Sequence, residues 1–211
     1  MKAVDTHAHL DFPQFNQDRF EVITKLGNKG ISVINIATDQ NSILKVVELS
    51  EKFDHLYAAV GIHPTDLNKN SLKELPTVLD QIRQMVKSSK KVVAIGEVGL
   101  DYFRDKSKQT AEIQLAALTL AQDLQKPVVF HCRDAYGDLL TLLKDYSGIK
   151  GVVHCFNGTL DQAQQFIAIG MKLSVTAIIT YPANETLRQI VKQLSLEELM
   201  LETDCPFFFF L

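Results

Sequence analysis

Residues 2–10, KAVDTHAHL, decide the fold class, because a short apolar run leads there into two histidines. A doubly wound α/β sheet places a glycine-rich phosphate loop after its first strand, whereas DTHAHL (5–10) contains no glycine. In an extended strand, the His-x-His spacing directs both side chains to the same face of the sheet. The first strand therefore predicts a paired-imidazole site in place of a nucleotide-binding loop.

Seven further short runs, rich in Val and Ile, follow the first one and are separated by segments with helical periodicity. Nearly continuous apolar character is typical of parallel strands that are covered on both faces. The runs lie at residues 31–37, 56–63, 92–100, 127–133, 151–156, 172–177 and 199–204. Residues 71–89, 110–125 and 184–194 repeat apolar side chains at helical spacing. This rhythm predicts an α/β fold, a (β/α)8 TIM barrel lacking its last helix, as one C-terminally incomplete domain over 1–211.

The composition favours an ordinary soluble enzyme. The net charge of -3 argues against broad electrostatic capture of duplex nucleic acid. The three cysteines form no Cys-x-x-Cys pair, so a reducing compartment is expected. The sequence contains neither a signal-peptide pattern nor an apolar run of the roughly 20 residues that a membrane helix needs. We expect a cytoplasmic protein, or a nuclear one in a eukaryote, with no membrane association and no obligate protein partner.

Four of the later predicted strands end at a side chain that commonly binds metal. Active sites of α/β barrels are built at the carboxyl ends of the strands, so these side chains are expected to meet at one rim. Burying so many polar groups without strong partners is costly, which favours a metal centre. The six candidate ligands are His7, His9, Glu97, His131, His154 and Asp204.

Six ligands suit two divalent metal ions. Glu97 is the natural bridge, since its carboxylate has two oxygens and its strand lies in the middle of the barrel order. His7, His9 and Asp204 would complete one site, and His131 and His154 the other. Two ions about 3.5–4 Å apart can clamp the attacking and leaving oxygens of a displacement. The mixed imidazole and carboxylate set favours Zn, Mn, Fe or Co, and Mg stays open for a weaker second site.

Other polar residues near the predicted rim are candidates for supporting roles. His63 is expected to hydrogen-bond the substrate, and Arg133 to meet a phosphate, unless Arg133 forms only a surface salt bridge. Asn157 either binds substrate or starts a turn. Glu202, on the same face as Asp204, is expected to support the ligands from behind, although it could ligate itself. Asp101 either orients the site or shapes its loop.

Six motifs resemble those of one family, the TatD-type metal-dependent deoxyribonucleases of the amidohydrolase superfamily. In order from residue 5 to residue 206 they are DTHAHLDF, VGIHP, AIGEVGLDY, VFHCRDAYGDLL, VVHCFNGT and LETDCP. The resemblance implies a TIM barrel with a divalent metal centre and hydrolysis of DNA. It places the family's metal residues on the same six positions and its further histidine on His63. A glutamate at position 97, where related amidohydrolases often carry a carbamylated lysine, favours the TatD branch.

The resulting functional hypothesis is a metal-dependent hydrolase, specifically a deoxyribonuclease. It would cleave phosphodiester bonds at DNA ends or in single strands with a metal-activated water, as an exonuclease does. Asp204, Glu97 and His63 are the expected catalytic residues. Two alternatives stay open. The same metals suit an amidohydrolase or lactonase acting on a small molecule. The tail FFFFL (207–211), which departs from the family pattern, suggests a truncated isoform without activity.

Overall fold

The computed structural model describes residues 2–67, 71–104, 108–146 and 148–208. Eight parallel strands form one sheet whose spatial order equals the chain order. They are β1 (Ala3–Ala8), β2 (Ile31–Ile36), β3 (Leu56–Val60), β4 (Val92–Asp101), β5 (Val128–Arg133), β6 (Gly151–Val153), β7 (Met171–Val175) and β8 (Leu199–Leu201). An isolated parallel bridge between Ala8 and Cys205 brings the two edges together. The prediction of a TIM-type barrel is confirmed.

Within these described ranges, seven α-helices connect successive strands and cover the outside of the barrel. They are α1 (Arg19–Asn28), α2 (Gln40–Glu51), α3 (Ser71–Ser88), α4 (Lys108–Asp123), α5 (Tyr136–Leu143), α6 (Leu160–Ala168) and α7 (Glu185–Val191). Capping boxes begin α2, where Asp39 pairs with Ser42, and α6, where Thr159 pairs with Gln162. Residues 202–208, the described part after β8, contain no helix. Within the described residues, no helix is both long and apolar enough to cross a lipid bilayer.

The barrel interior is filled by a small cluster of buried side chains that supports the site from below. It consists of Ile36, Ala59, Ala94, Val129 and Val152. Because alternate residues of a strand share a face, the side chains two positions after Val129 and Val152 also point inward. Those side chains are His131 and His154. The larger apolar cluster lies between the sheet and the helices and includes Phe130, Leu139 and Phe166.

Hydrogen bonds between the two ends of the chain close the seam between β1 and β8. The backbone N–H and the hydroxyl of Thr203 donate to the two carboxylate oxygens of Asp5, at 2.9 and 2.7 Å. The Thr6 hydroxyl donates to the Leu201 carbonyl at 3.0 Å. The backbone N–H of Asp204 donates to the His7 carbonyl at 2.8 Å. The seam therefore holds Asp204 beside the first histidine of the chain.

Several strands end earlier than the sequence pattern predicts. β1 ends before His9, β6 before His154 and β8 three residues before Asp204. The chain turns at these points, and Cys155 and Asp204 adopt positive φ angles of 47° and 51°. Such left-handed backbone is costly for residues other than glycine, and it is common at functional sites. Here it turns the loops inward over the barrel.

Candidate metal centre

Glu97 lies at the centre of the rim, and its two carboxylate oxygens face different histidines. Its Oε1 lies 2.7 Å from His154 Nε2, 3.0 Å from His131 Nδ1 and 3.5 Å from His63 Nε2. Its Oε2 lies 3.3 Å from His7 Nε2. The side chain is 3% exposed, so it is removed from bulk water. The carboxylate therefore separates two groups of nitrogen donors.

One of these groups contains His7 and His9, and the carboxylate of Asp204 lies beside it. The Nε2 atoms of the two histidines lie 3.2 Å apart, and Asp204 Oδ1 lies 3.3 Å from that of His9. The Nδ1 of His9 lies 3.0 Å from the Ile36 carbonyl oxygen, which can only accept a hydrogen bond. The proton is therefore on Nδ1, and the Nε2 lone pair of neutral His9 points into the cluster. Although His9 lies beyond the end of β1, both histidines reach the same site.

His131 is oriented by Asp101. The Nε2–H of His131 donates to Asp101 Oδ2 at 3.0 Å, while the other carboxylate oxygen accepts the backbone N–H of Arg104 at 2.9 Å. Consequently Nδ1 is the nitrogen that faces the cluster, 3.3 Å from His154 Nε2. The carboxylate of Asp101 therefore contacts a rim histidine and also the loop backbone at Arg104.

Glu202 lies behind His154. Its Oε1 is 3.5 Å from His154 Nδ1 and accepts the backbone N–H of Cys155 at 2.7 Å. Its Oε2 accepts the Ser174 hydroxyl at 2.6 Å. Glu202 therefore ties the end of β8 to the ends of β6 and β7. His7 and His154 stack with ring centroids 4.0 Å apart, which places two imidazoles side by side over the barrel interior.

His63 differs from the other histidines in the nitrogen that it presents. The backbone N–H of Thr65 donates to His63 Nδ1 at 3.1 Å, so Nδ1 carries the lone pair. Burial lowers the pKa of His63 to about 4, so the ring is neutral near pH 7 with its proton on Nε2. That N–H points toward Glu97 and the cavity. His63 is built as a hydrogen-bond donor in this state.

The charges of the cluster are strongly coupled. Burial by itself would raise the pKa of Glu97, but His154, His63 and His7, with a hydrogen bond from His131, hold it well below its ordinary value. Burial would likewise lower the pKa of His154, but Glu97 and Glu202 raise it well above its ordinary value. Without a metal, Glu97 is therefore ionised, and His154 is protonated on both ring nitrogens.

The residues of the rim fit a divalent metal. In the part of the chain that the structure describes, three sets bring their ligand atoms within 4.8 Å of one another: His7 with His9 and Asp204, His7 with His154 and Glu202, and His63 with Glu97 and His131. His63 presents an N–H in the third set. The other members bring buried ring nitrogens and carboxylate oxygens together, an arrangement that a cation would stabilise. Mixed nitrogen and oxygen donors suit Zn, Mn, Fe or Co. All six predicted ligands belong to these sets.

A cavity of about 620 Å³ opens above the cluster. Arg133 and Asn157, predicted to bind substrate, both line it. The Arg133 guanidinium lies 3.8 Å from the ring centroid of Phe103, and the Asn157 side-chain oxygen accepts the Tyr136 hydroxyl at 2.6 Å. Sequence reasoning missed Arg104, which also lines the cavity and follows Asp101 by three residues in the same loop.

Sequence reasoning also missed the support behind β4. The buried Gln114 of α4 accepts the backbone N–H of Gly99 at 2.7 Å. Gly99 has a φ of 144°, and a Cβ at this position would lie 1.9 Å from the His131 carbonyl oxygen. Only glycine permits this close approach of β4 and β5 two residues after Glu97. A glycine in the middle of a predicted strand was the available signal.

Comparison with known proteins covers nearly the whole chain. The sequence profile of a family described as TatD related DNase matches residues 4–209. The uncharacterized metal-dependent hydrolase YjjV of Escherichia coli K12 is 37% identical over 210 residues, covering 97% of this chain and 80% of the relative. The crystal structure of YjjV, at 35% identity, aligns with a TM-score of 0.85 over 97% of this chain and 80% of that one. A protein of Escherichia fergusonii named 3'-5' ssDNA/RNA exonuclease TatD is 29% identical, covering 96% of this chain and 78% of its own length.

Proposed function

The chain belongs to the family of TatD-related DNases and is a metal-dependent hydrolase, and we propose that it cleaves phosphodiester bonds in DNA. The observation that carries this proposal is that one cavity contains both the carboxylate–imidazole cluster and N–H donors that suit a phosphate. Arg104 and Arg133 line that cavity together with His63. Planar guanidinium groups suit the oxygens of a phosphate.

In this proposal two divalent ions, of Zn, Mn, Mg, Fe or Co, occupy the cluster. His7, His9 and Asp204 would hold one ion and His131 and His154 the other, with Glu97 placed between the two groups. The two oxygens of Glu97 face different histidines, which supports this division. When bound, such ions supply an activated water and positive charge opposite the phosphate.

The protein side chains position the reactants and move the proton. Burial by itself would raise the pKa of Asp204, but its hydrogen bond with His9 and the nearby imidazoles hold it below its ordinary value. An ionised Asp204 orients the attacking water and accepts its proton. The Nε2–H of His63 donates to a phosphate oxygen and stabilises the negative charge that develops there. Both groups lie on the cavity wall beside Glu97.

Arg104 and Arg133 bind the phosphate backbone at the ends of β4 and β5. The chain carries a net charge of -3, so these local cations, together with the metals, attract the substrate. We propose DNA ends or single strands as the substrate and an exonuclease mode of cleavage. The name of the Escherichia fergusonii relative describes that activity for that protein, and it supports the proposal here.

The test is hydrolysis of an end-labelled single-stranded oligonucleotide by the purified chain, with each divalent metal added in turn. Metal-dependent shortening of the DNA that disappears with a chelator and in Glu97→Ala is the expected result. A lactone and an amide substrate are assayed in parallel, because the same cluster suits a small-molecule hydrolase. Turnover of those compounds without any cleavage of DNA would refute the proposed substrate. A chain that binds metal and melts cooperatively but turns over nothing would refute the hydrolase activity itself.

A further inference from the structure

Two exposed phenylalanines lie beside the cavity: Phe207 lines it, and Phe103 contacts Arg133, which lines it. Phe103 is 63% exposed and Phe207 is 52% exposed. Aromatic rings beside a phosphate-binding groove can stack unpaired nucleobases. Each belongs to a pair, Phe103 with Arg133 and Phe207 with Phe12.

The Phe12–Phe207 pair forms a wall over His9. The Phe12 ring stacks on the His9 imidazole, with centroids 4.8 Å apart and planes 29° apart. The Phe207 ring meets Phe12 edge-on, at 5.7 Å and 89°. The backbone N–H of Phe207 donates to the Asp204 carbonyl at 2.9 Å, which anchors this wall to a candidate metal ligand. Both rings line the cavity.

The second pair, Phe103 and Arg133, forms a wall with a cationic surface. The Arg133 guanidinium lies over the Phe103 ring at 3.8 Å from its centroid. This contact holds a long, otherwise mobile side chain in place at the cavity. One guanidinium face rests on the ring, which leaves the opposite face and the N–H edges for a ligand. Such a surface can stack a nucleobase and bond a phosphate at once.

The topology of the barrel sets the two walls on opposite sides of the metal cluster. Phe12 follows β1 and Phe207 follows β8, whereas Phe103 follows β4 and Arg133 ends β5. In an eight-stranded barrel whose strands follow chain order, β1 lies opposite β5, and β8 lies opposite β4. A strand that crosses the cavity between the walls therefore places a phosphate over Glu97.

We propose that the Phe12–Phe207 wall and the Phe103–Arg133 wall are stacking subsites for the unpaired nucleobases on either side of the cleaved phosphate. This inference rests on the proposed function and deepens it. In a duplex, neighbouring base pairs cover the faces of each base, so only an unpaired strand offers faces to both walls. The walls thus select single-stranded DNA, and they do so without a strongly basic surface.

The test measures binding without hydrolysis. Fluorescence anisotropy of a short labelled deoxythymidine oligonucleotide is recorded in the presence of a chelator for the intact chain, Phe103→Ala and Phe207→Ala. Each alanine variant is expected to bind about 10-fold more weakly, as for loss of one base–aromatic stack. Phe103→Tyr and Phe207→Tyr keep a stacking ring and should restore affinity. Phe20→Ala is the matched control, because Phe20 is 56% exposed but lies on α1 beside Phe53.

A second arm uses an oligonucleotide of equal length in which the bases have been removed from the sugar–phosphate backbone. The intact chain should bind it about as weakly as the alanine variants bind the normal strand. Equal affinity of the intact chain for both strands, or alanine variants that bind like the intact chain, would overturn the inference. Thermal melting of each variant separates lost stacking from lost folding.

Cleavage of the same oligonucleotide by the metal-loaded chain separates this inference from the proposed function. If the chain cleaves DNA but its affinity for DNA depends neither on the bases nor on the two phenylalanines, the stacking role of the walls is refuted and the nuclease activity is supported. If binding depends on bases and phenylalanines but no metal supports cleavage, the walls stand and the nuclease is refuted.

Discussion

The exchange Asp101→Asn tests the orientation of His131. The two carboxylate oxygens of Asp101 accept different N–H groups, that of the Arg104 backbone at 2.9 Å and that of His131 Nε2 at 3.0 Å. An asparagine has one acceptor oxygen and one donor NH₂ group, so it cannot accept both. If the NH₂ group faces His131, the ring shifts its proton to Nδ1. The lone pair that faces Glu97 is then lost.

The expected loss of metal affinity follows from the role of Asp101 as a hydrogen-bond partner that orients a metal ligand. Removing a group that fixes the tautomer of a metal ligand typically weakens metal binding about 10- to 100-fold, which is about 1.4–2.8 kcal/mol. The fold should lose a similar amount at most, since a hydrogen bond to a charged group contributes about 1.5–3 kcal/mol. Thermal melting of the metal-free variant measures this cost to the fold separately from the loss of metal affinity.

The assay is competition for Mn²⁺ or Zn²⁺ with a chromophoric chelator, which reports the metal Kd without any substrate. Asp138→Asn is the matched control, because Asp138 of α5 accepts the hydroxyl of Tyr102, the residue after Asp101, at 2.5 Å. Among the described contacts, Asp138 bonds no rim histidine. An unchanged metal Kd for Asp101→Asn would refute the reasoning on the His131 tautomer. A loss of equal size in Asp138→Asn would show that loop disturbance alone accounts for the effect.

Three other outcomes are expected. Glu97→Gln should weaken the binding of both ions and abolish metal-dependent hydrolysis; an isothermal titration that shows two undiminished sites, or full activity, would contradict the bridging role. Gly99→Ala should destabilise the fold by about 1–3 kcal/mol through overpacking, since its Cβ would lie 1.9 Å from the His131 carbonyl oxygen; denaturant unfolding measures this, and a midpoint like that of the intact chain would speak against it. Burial by itself would lower the pKa values of His9 and His154, but their carboxylate partners raise both above the ordinary value. A raised pKa keeps protons on the ligand nitrogens of the metal-free protein, and the metal must displace them. Metal affinity should therefore fall as the pH drops through 6.5, the ordinary pKa of histidine, and should still rise with pH above that value. A metal affinity that stays constant above pH 6.5 would contradict this link between protonation and metal binding.

Much of the architecture was readable from local pattern. The Val- and Ile-rich runs predicted all eight strands, because burial on both faces demands continuous apolar character. The two-residue period placed His131 and His154 on the face shared with Val129 and Val152. The accumulation of ligand-type side chains at strand ends predicted one polar rim. The metal-binding role of those side chains stays a prediction that the titrations above test.

The sequence by itself therefore determined the barrel and the set of side chains that meet at its rim, because strand periodicity is a property of neighbouring residues. Only the tertiary structure decided which ring nitrogen His9 and His131 present, since their partners Ile36 and Asp101 come from other strands and loops. It alone also decided that the rim closes, through hydrogen bonds between Asp5 and Thr203, which are 198 residues apart. The opposed aromatic walls depend on the same closure. Contacts of this kind carry no local period, so no pattern along the chain announces them.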